Sequence, residues 1–338
     1  MKKYPILDVC KVICACLVVM IHCLEVKEGH PYAHMIVACF SQQAVPFFFI
    51  VSGFLFTKKM DIAEEPQKFI FSYVKKQLFI YGTWTLIRLP AMICFYLELY
   101  PEASTKFIVA IILRRIFLAG YDVYWYLLAL AESSLIVGIF VLHRKEKFLY
   151  VFAVIGLILG YMCDAYISIP VVREINKIID LLFSGSNNLI MKGIPYVTIG
   201  YYFAKKIDKV KIKKSLIGIG YVAITILNIV YFMTIYNSDV SLTRFMFGYI
   251  IQAILLFALA ISISDIEFSE EVCIKFRGIS TSVYYLHTIF IYYFVDIIWG
   301  VNSPILLKFM IPVLISVGVY WLTKRTKCKF MYKLLSLK

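Results

Sequence analysis

The run Ile6-Leu-Asp-Val-Cys-Lys-Val-Ile-Cys-Ala-Cys-Leu-Val-Val-Met-Ile-His-Cys-Leu-Glu-Val26 decides how the rest of the chain is read. A helix needs about 20 apolar residues to cross the hydrocarbon core of a bilayer, and this run has that length. Yet it carries Asp8, Lys11, His22 and Glu25. Lys2 and Lys3 precede it as in a secretory leader. The charges at 8 and 11 interrupt the apolar core, however, and no small-residue cleavage site follows, so the sequence predicts a retained first span.

Working outward, further apolar runs fall at 35–56, 78–98, 122–142, 148–169, 189–204, 215–236, 243–264, 281–300 and 304–322. The whole chain of 338 residues is 62% hydrophobic and 17% charged. A soluble domain is about 45–50% apolar and about 25% charged, so a soluble enzyme, a disordered chain and a fibrous repeat are all excluded. The stretch 106–119 carries Arg114 and Arg115 and reads as an interfacial or re-entrant helix.

If the N-terminus is cytoplasmic, the inner segments hold 24 Lys/Arg and the outer segments 6. Such a bias sets orientation and accounts for the net charge of +14, so a nucleic-acid partner is not needed. The predicted fold is therefore all-α: a polytopic membrane protein of about ten transmembrane helices, both termini cytoplasmic, forming a single domain over 1–338. The nine cysteines form no Cys-x-x-Cys pair and no His/Cys ligand spacing is present, so no metal is expected. There is no P-loop and no Gly-x-Ser-x-Gly elbow.

Charged residues inside a membrane are costly and usually face a cavity or a partner. Lys11 and His22 are eleven residues apart, about 20° off three full turns, so they share one helical stripe about 16 Å long. A cation near the inner end and a titratable base near the outer end can line a path. A snorkelling lysine and an interfacial histidine would leave the same pattern. Glu25, three residues beyond His22, is placed to orient the imidazole. Ser52-Gly53 in the second span allows close helix approach and a polar contact, and simple packing would account for it equally well. His287, in Tyr284-Tyr-Leu-His287, is expected in the cytoplasmic third of the ninth span, facing a cofactor or a neighbouring helix. Arg88, Glu132, Asp164, Lys192, Arg244 and Asp296 are further charges in or near spans whose partners the sequence does not name.

Four stretches in order resemble the membrane acyltransferase 3 family, whose members O-acylate cell-surface glycans. They are Lys11-x10-His22; Val45-Pro-Phe-Phe-Phe-Ile-Val-Ser-Gly-Phe54 with Tyr73-Val-Lys-Lys-Gln-Leu after it; Tyr124-Trp125-Tyr-Leu-Leu-Ala-Leu130 followed by Gly200-Tyr-Tyr-Phe-Ala-Lys-Lys206; and Ile279-Ser-Thr-Ser-Val-Tyr-Tyr-Leu-His287. One departure is the polar stretch before the tryptophan, which often carries a histidine in the family and here reads Asp122-Val-Tyr124.

The resemblance implies acetyl-CoA or another acyl-CoA as donor on the cytoplasmic side. The implied acceptor is a hydroxyl of a cell-envelope glycan or lipid-linked sugar, and the implied location a bacterial plasma membrane. By resemblance His22 is the essential catalytic histidine; Glu25 joins it as the carboxylate placed to orient the ring. Lys11 and His287 are assigned to the donor, and Ser52 and Trp125 to substrate support. The family also has a relative in the membrane domain of the vancomycin-resistance serine racemases, thought to bring in serine. A small-solute transporter is therefore the alternative, and Gln42-Gln43 before the Val45 run resembles that branch equally well.

Overall fold

A computed structural model of the chain describes residues 4–23, 37–166, 169–183, 185–206, 213–235, 246–263, 266–300, 303–335 and 337. No strand occurs among the described residues. The main helices are α1 (Pro5–Cys23), α2 (Ala44–Met60), α3 (Pro66–Leu99), α4 (Thr105–Arg114), α5 (Trp125–Leu142), α6 (Glu146–Ala165) and α7 (Pro170–Phe183). They continue as α8 (Ile194–Lys206), α9 (Lys214–Ile235), α10 (Met246–Ser262), α11 (Glu270–Phe290), α12 (Ile305–Thr326) and α13 (Lys329–Leu334). Eight helices among the described residues are long and apolar enough to cross a membrane. The other two expected spans appear as the shorter helices α8 and α10. The chain is an all-α polytopic membrane protein, and many large apolar side chains on its outer faces, such as Leu86, Phe148 and Ile219, are exposed as lipid contact requires.

Two helices start earlier than hydropathy indicates. Hydropathy puts 57–77 and 265–280 in loops, but α3 begins at Pro66 and α11 at Glu270. Local chemistry explains both. Pro66 stands in the first turn of α3, where a missing N–H costs nothing. Ser269 caps α11 by accepting the Val272 N–H. Both helices extend beyond their apolar cores, where a hydropathy window is blind.

The chain forms two compact units, 1–51 with 208–338, and 52–207. In the first unit α1 packs on α11, α11 on α12, and α9 on α10. Its core gathers Ala15, Val19, Cys23, Val283 and Ile291, with Phe48, Phe309, Val313 and Val317 against them. Small side chains on α1 let the backbones approach, which is how helices gain contact where lipid removes the hydrophobic drive. Buried amides and hydroxyls add polar ties. Gln252 donates to Thr225 (2.8 Å) and accepts from Asn228 (3.0 Å), and Gln43 donates to Tyr221 (2.9 Å).

In the second unit α3 packs on α5, and α6 on α8. Phe56, Met60, Ile70, Val74 and Ala131 form one core cluster. Gly53 is a point of close approach: a Cβ added there would lie 2.4 Å from the Val197 carbonyl oxygen. Backbone cannot step aside as a flexible side chain can. Gly53→Val is therefore expected to destabilise the protein by about 2–3 kcal/mol, toward the upper end of overpacking costs. A thermal melt in detergent that matched the wild type would refute this.

Candidate active site

At the first end of α1, Lys11 Nζ donates to Asp8 Oδ1 at 3.0 Å, one turn away on the same helix. Arg277 of α11 approaches the other oxygen, Nε to Asp8 Oδ2, at 3.5 Å. Arg277 also donates Nη2 to Glu270 (3.0 Å) and Nε to the Cys273 carbonyl (3.1 Å). Those contacts leave Nη1 without a partner among the described residues, and Lys11 has bonded only one of its three N–H groups. The Arg277 side chain is 40% exposed. Two cations thus share one carboxylate and keep donors available for an incoming anion.

At the far end of α1 stands His22, in the last turn of the helix. Its ring faces that of His287, with centroids 5.2 Å apart and planes tilted by 50°. Asp8 meets Arg277 at one end and His22 meets His287 at the other, so α1 and α11 run in the same direction. Each helix carries a cation and, ten or eleven residues on, an imidazole. The Lys11-to-His22 interval is about 16 Å along the axis.

The position of His287 corrects the expectation from sequence. It lies level with His22, at the opposite end of α1 from Lys11. The reason is the early start of α11, which makes His287 a residue of its last turn. The side chain is fully buried, and its Nδ1 bonds the carbonyls of Val283 (3.0 Å) and Tyr284 (2.9 Å).

Beyond His287, α11 passes into a π-turn, Ile291–Val295, before a last helical turn, Asp296–Trp299. The wider turn shifts the register of the residues after it. Asp296 forms an ion pair with Lys308 in the first turn of α12, Oδ1 to Nζ 3.0 Å, with side chains only 11% and 2% exposed.

Ser52 and Trp125 lie in the second unit. Ser52 and Tyr126 share a hydroxyl–hydroxyl bond of 3.0 Å. Lys192 sits over the Trp125 ring, 5.9 Å from its centroid. The approach to Trp125 needs Gly120 at φ +75°, where a Cβ would lie 2.3 Å from the Trp125 Cα. Asp122 adopts φ +52°, strained for a side chain, and accepts from the buried Arg88 at 2.8 Å. Trp84 stacks on Tyr124, with centroids 5.8 Å apart.

Glu25 lies outside the described residues. Sequence pattern alone passes over Arg277, a loop charge by hydropathy, and Lys308. A signal exists for each: Arg277 precedes His287 by nearly the Lys11–His22 interval, and Lys308 lies inside the apolar run 304–322.

A family model described as an acyltransferase domain matches residues 4–324, nearly the whole chain. Among curated proteins, the serine/alanine racemase of Enterococcus gallinarum is 26% identical over 218 residues, 62% of this chain and 30% of that protein. The match therefore takes in less than a third of the relative's length. No solved structure matches.

Proposed function

The chain belongs to the acyltransferase 3 family, and on that premise we propose that it is an integral membrane O-acyltransferase moving an acetyl or short acyl group from acyl-CoA to a hydroxyl of a cell-envelope glycan or lipid-linked sugar. The observation that carries the reading is the ordered pair of ends on α1 and α11: two cations sharing Asp8, and two facing imidazoles. A thioester donor supplies an activated acyl carbon. His22 takes the proton from the attacking hydroxyl and returns it to the departing thiolate, so protons balance. Lys11 and Arg277 hold the donor's phosphates; Arg does so with a planar fork and Lys as a point charge. Glu25 is assigned to assist His22.

The test is transfer of label from radiolabelled acetyl-CoA in membrane vesicles. Lys11→Met and Arg277→Met are each expected to raise KM for acetyl-CoA about tenfold or more, the worth of one charge-assisted hydrogen bond. An unchanged KM in both would remove the donor assignment.

A second reading, which rests on the resemblance to the membrane domain of serine racemases, is a transporter of a small amino acid, in which the same charged stripe serves permeation. Vesicles that consume no acetyl-CoA but accumulate labelled serine would put the transporter in place of the enzyme.

A further inference from the structure

Between the apolar runs 148–169 and 189–204 the second unit carries α7, a helix of 14 residues. At 1.5 Å per residue it is about 21 Å long, too short for the roughly 30 Å of hydrocarbon that a span must cross. Steps of about 100° divide its side chains into three sectors. One faces the protein: Val172 is 1% exposed, and Ile175 and Ile179 are half-buried. The second is polar and holds Arg173, Lys177 and Asp180. Asn176 donates to Asp180 at 3.1 Å, and Lys177 donates to Glu174 at 2.8 Å, drawing that carboxylate toward the polar side. The third sector is apolar and open. Val171, Ile178 and Leu181 are 64%, 61% and 67% exposed, with Leu182 exposed beside them.

A helix on a water-soluble surface needs two sectors, one buried and one wetted. The third sector of α7 needs an apolar medium, and the place of the helix supplies one. α6 is long and apolar enough to cross the membrane, and it ends at Ala165, five residues before Pro170. Five residues reach at most about 18 Å. α7 packs on α6 and on the turn 115–119. Tyr161 and Tyr166, whose hydroxyls are bonded at 3.3 Å, stand at this end of α6, and tyrosine collects at membrane–water interfaces. On the span itself Val151, Ile155 and Ile158 are exposed as lipid contact requires, and exposed Tyr166, Ile169 and Val171 carry that apolar surface on to α7. Arg114, the last residue of α4, donates Nη1 to the carbonyls of Asp180 and Leu181, at 3.2 and 3.1 Å. A cation there satisfies carbonyls at the end of α7, complements the helix dipole and holds the helix by that end.

We infer that α7 is a membrane-surface helix: the face of Val171, Ile178, Leu181 and Leu182 lies in the interfacial zone of the leaflet that α6 reaches, and Arg173, Lys177 and Asp180 point to water. The occupant of the face is lipid, because the exposed apolar surface that it continues belongs to a membrane-spanning helix. The charge bias of the chain makes this the outer leaflet.

The test uses the whole protein in liposomes of phosphatidylethanolamine and phosphatidylglycerol. The liposomes include a lipid with a diazirine near the ester end of one acyl chain. Light expels dinitrogen and leaves a carbene that inserts into neighbouring C–H bonds; digestion and mass spectrometry then locate the label. Val171, Ile178, Leu181 and Leu182 are expected to take about five times the label of Arg173, Lys177 and Asp180. Ile155 on α6 serves as the lipid-facing reference and confirms insertion. Label at Ile155 with none on α7, or label spread evenly round α7, would overturn the inference.

A second measurement separates lipid from protein as the occupant. With p-benzoylphenylalanine in place of Ile178, light is expected to join the chain to phospholipid, read as a mass increase of one lipid. The same group in place of Lys177 should give little adduct. A product of twice the chain mass from position 178 would assign the face to a second copy and overturn the lipid reading. Capture of neither lipid nor protein would leave the face in water and overturn it as well.

Discussion

Replacing His22 with alanine is expected to lower acyl transfer by about 10²–10⁴-fold, the span that one positioned general base supplies. KM for acetyl-CoA should hardly move, because the residues proposed to hold the donor, Lys11 and Arg277, stand at the other end of the α1–α11 pair. Stability should hardly move either. His22 is only partly buried and stands in the last turn of α1, where truncation leaves the core residues Ala15, Val19 and Cys23 in place. The measurement is single-turnover transfer from acetyl-CoA, beside a melt that confirms folding. A folded His22→Ala protein with undiminished transfer would take the base assignment away from this residue altogether.

The largest expected effect on stability lies at Lys308 and Asp296. Both side chains are nearly inaccessible, and their charges are paired at 3.0 Å. Removing one partner strands a charge in low dielectric, which typically costs about 3–5 kcal/mol. Lys308→Met and Asp296→Leu should each lower the melting temperature strongly and reduce the yield of folded protein. The double variant Lys308→Met/Asp296→Leu should recover most of the loss, because two apolar side chains of similar size replace a pair whose desolvation nearly cancels its attraction. If both single variants melt with the wild type, water reaches the pair and it is not a structural tie. If the double variant is as poor as the singles, the site is held by shape rather than by charge.

The spans are legible in the sequence because a bilayer admits few backbone solutions, and runs such as 122–142 announce themselves by composition. The Lys11–His22 stripe is legible for the same reason that any single helix is: 3.6 residues per turn fix which side chains lie above one another. Ser52-Gly53 reads as a close approach, and Gly53 does meet the Val197 backbone. Contacts between distant segments are another matter. Asp8 with Arg277, Arg88 with Asp122 and Asp296 with Lys308 each join charges that the sequence displays without naming partners. Which helix neighbours which is decided by packing, and packing here depends on small residues whose pattern is weak. Hydropathy misplaces His287 along its helix for a local reason, since the turns before residue 281 are too polar for such a scan yet are helical.

The two imidazoles come from α1 and α11, near opposite ends of the chain. A nascent polypeptide inserts its first span long before the ninth is synthesised. Until α11 arrives, α1 has its own Lys11–Asp8 pair but neither Arg277 nor the second histidine beside it. Contacts of such long sequence separation form late and slowly. Assembly of the chemistry is therefore tied to completion of the chain: a product truncated before α11 contains Lys11 and His22 but cannot build the paired site around them.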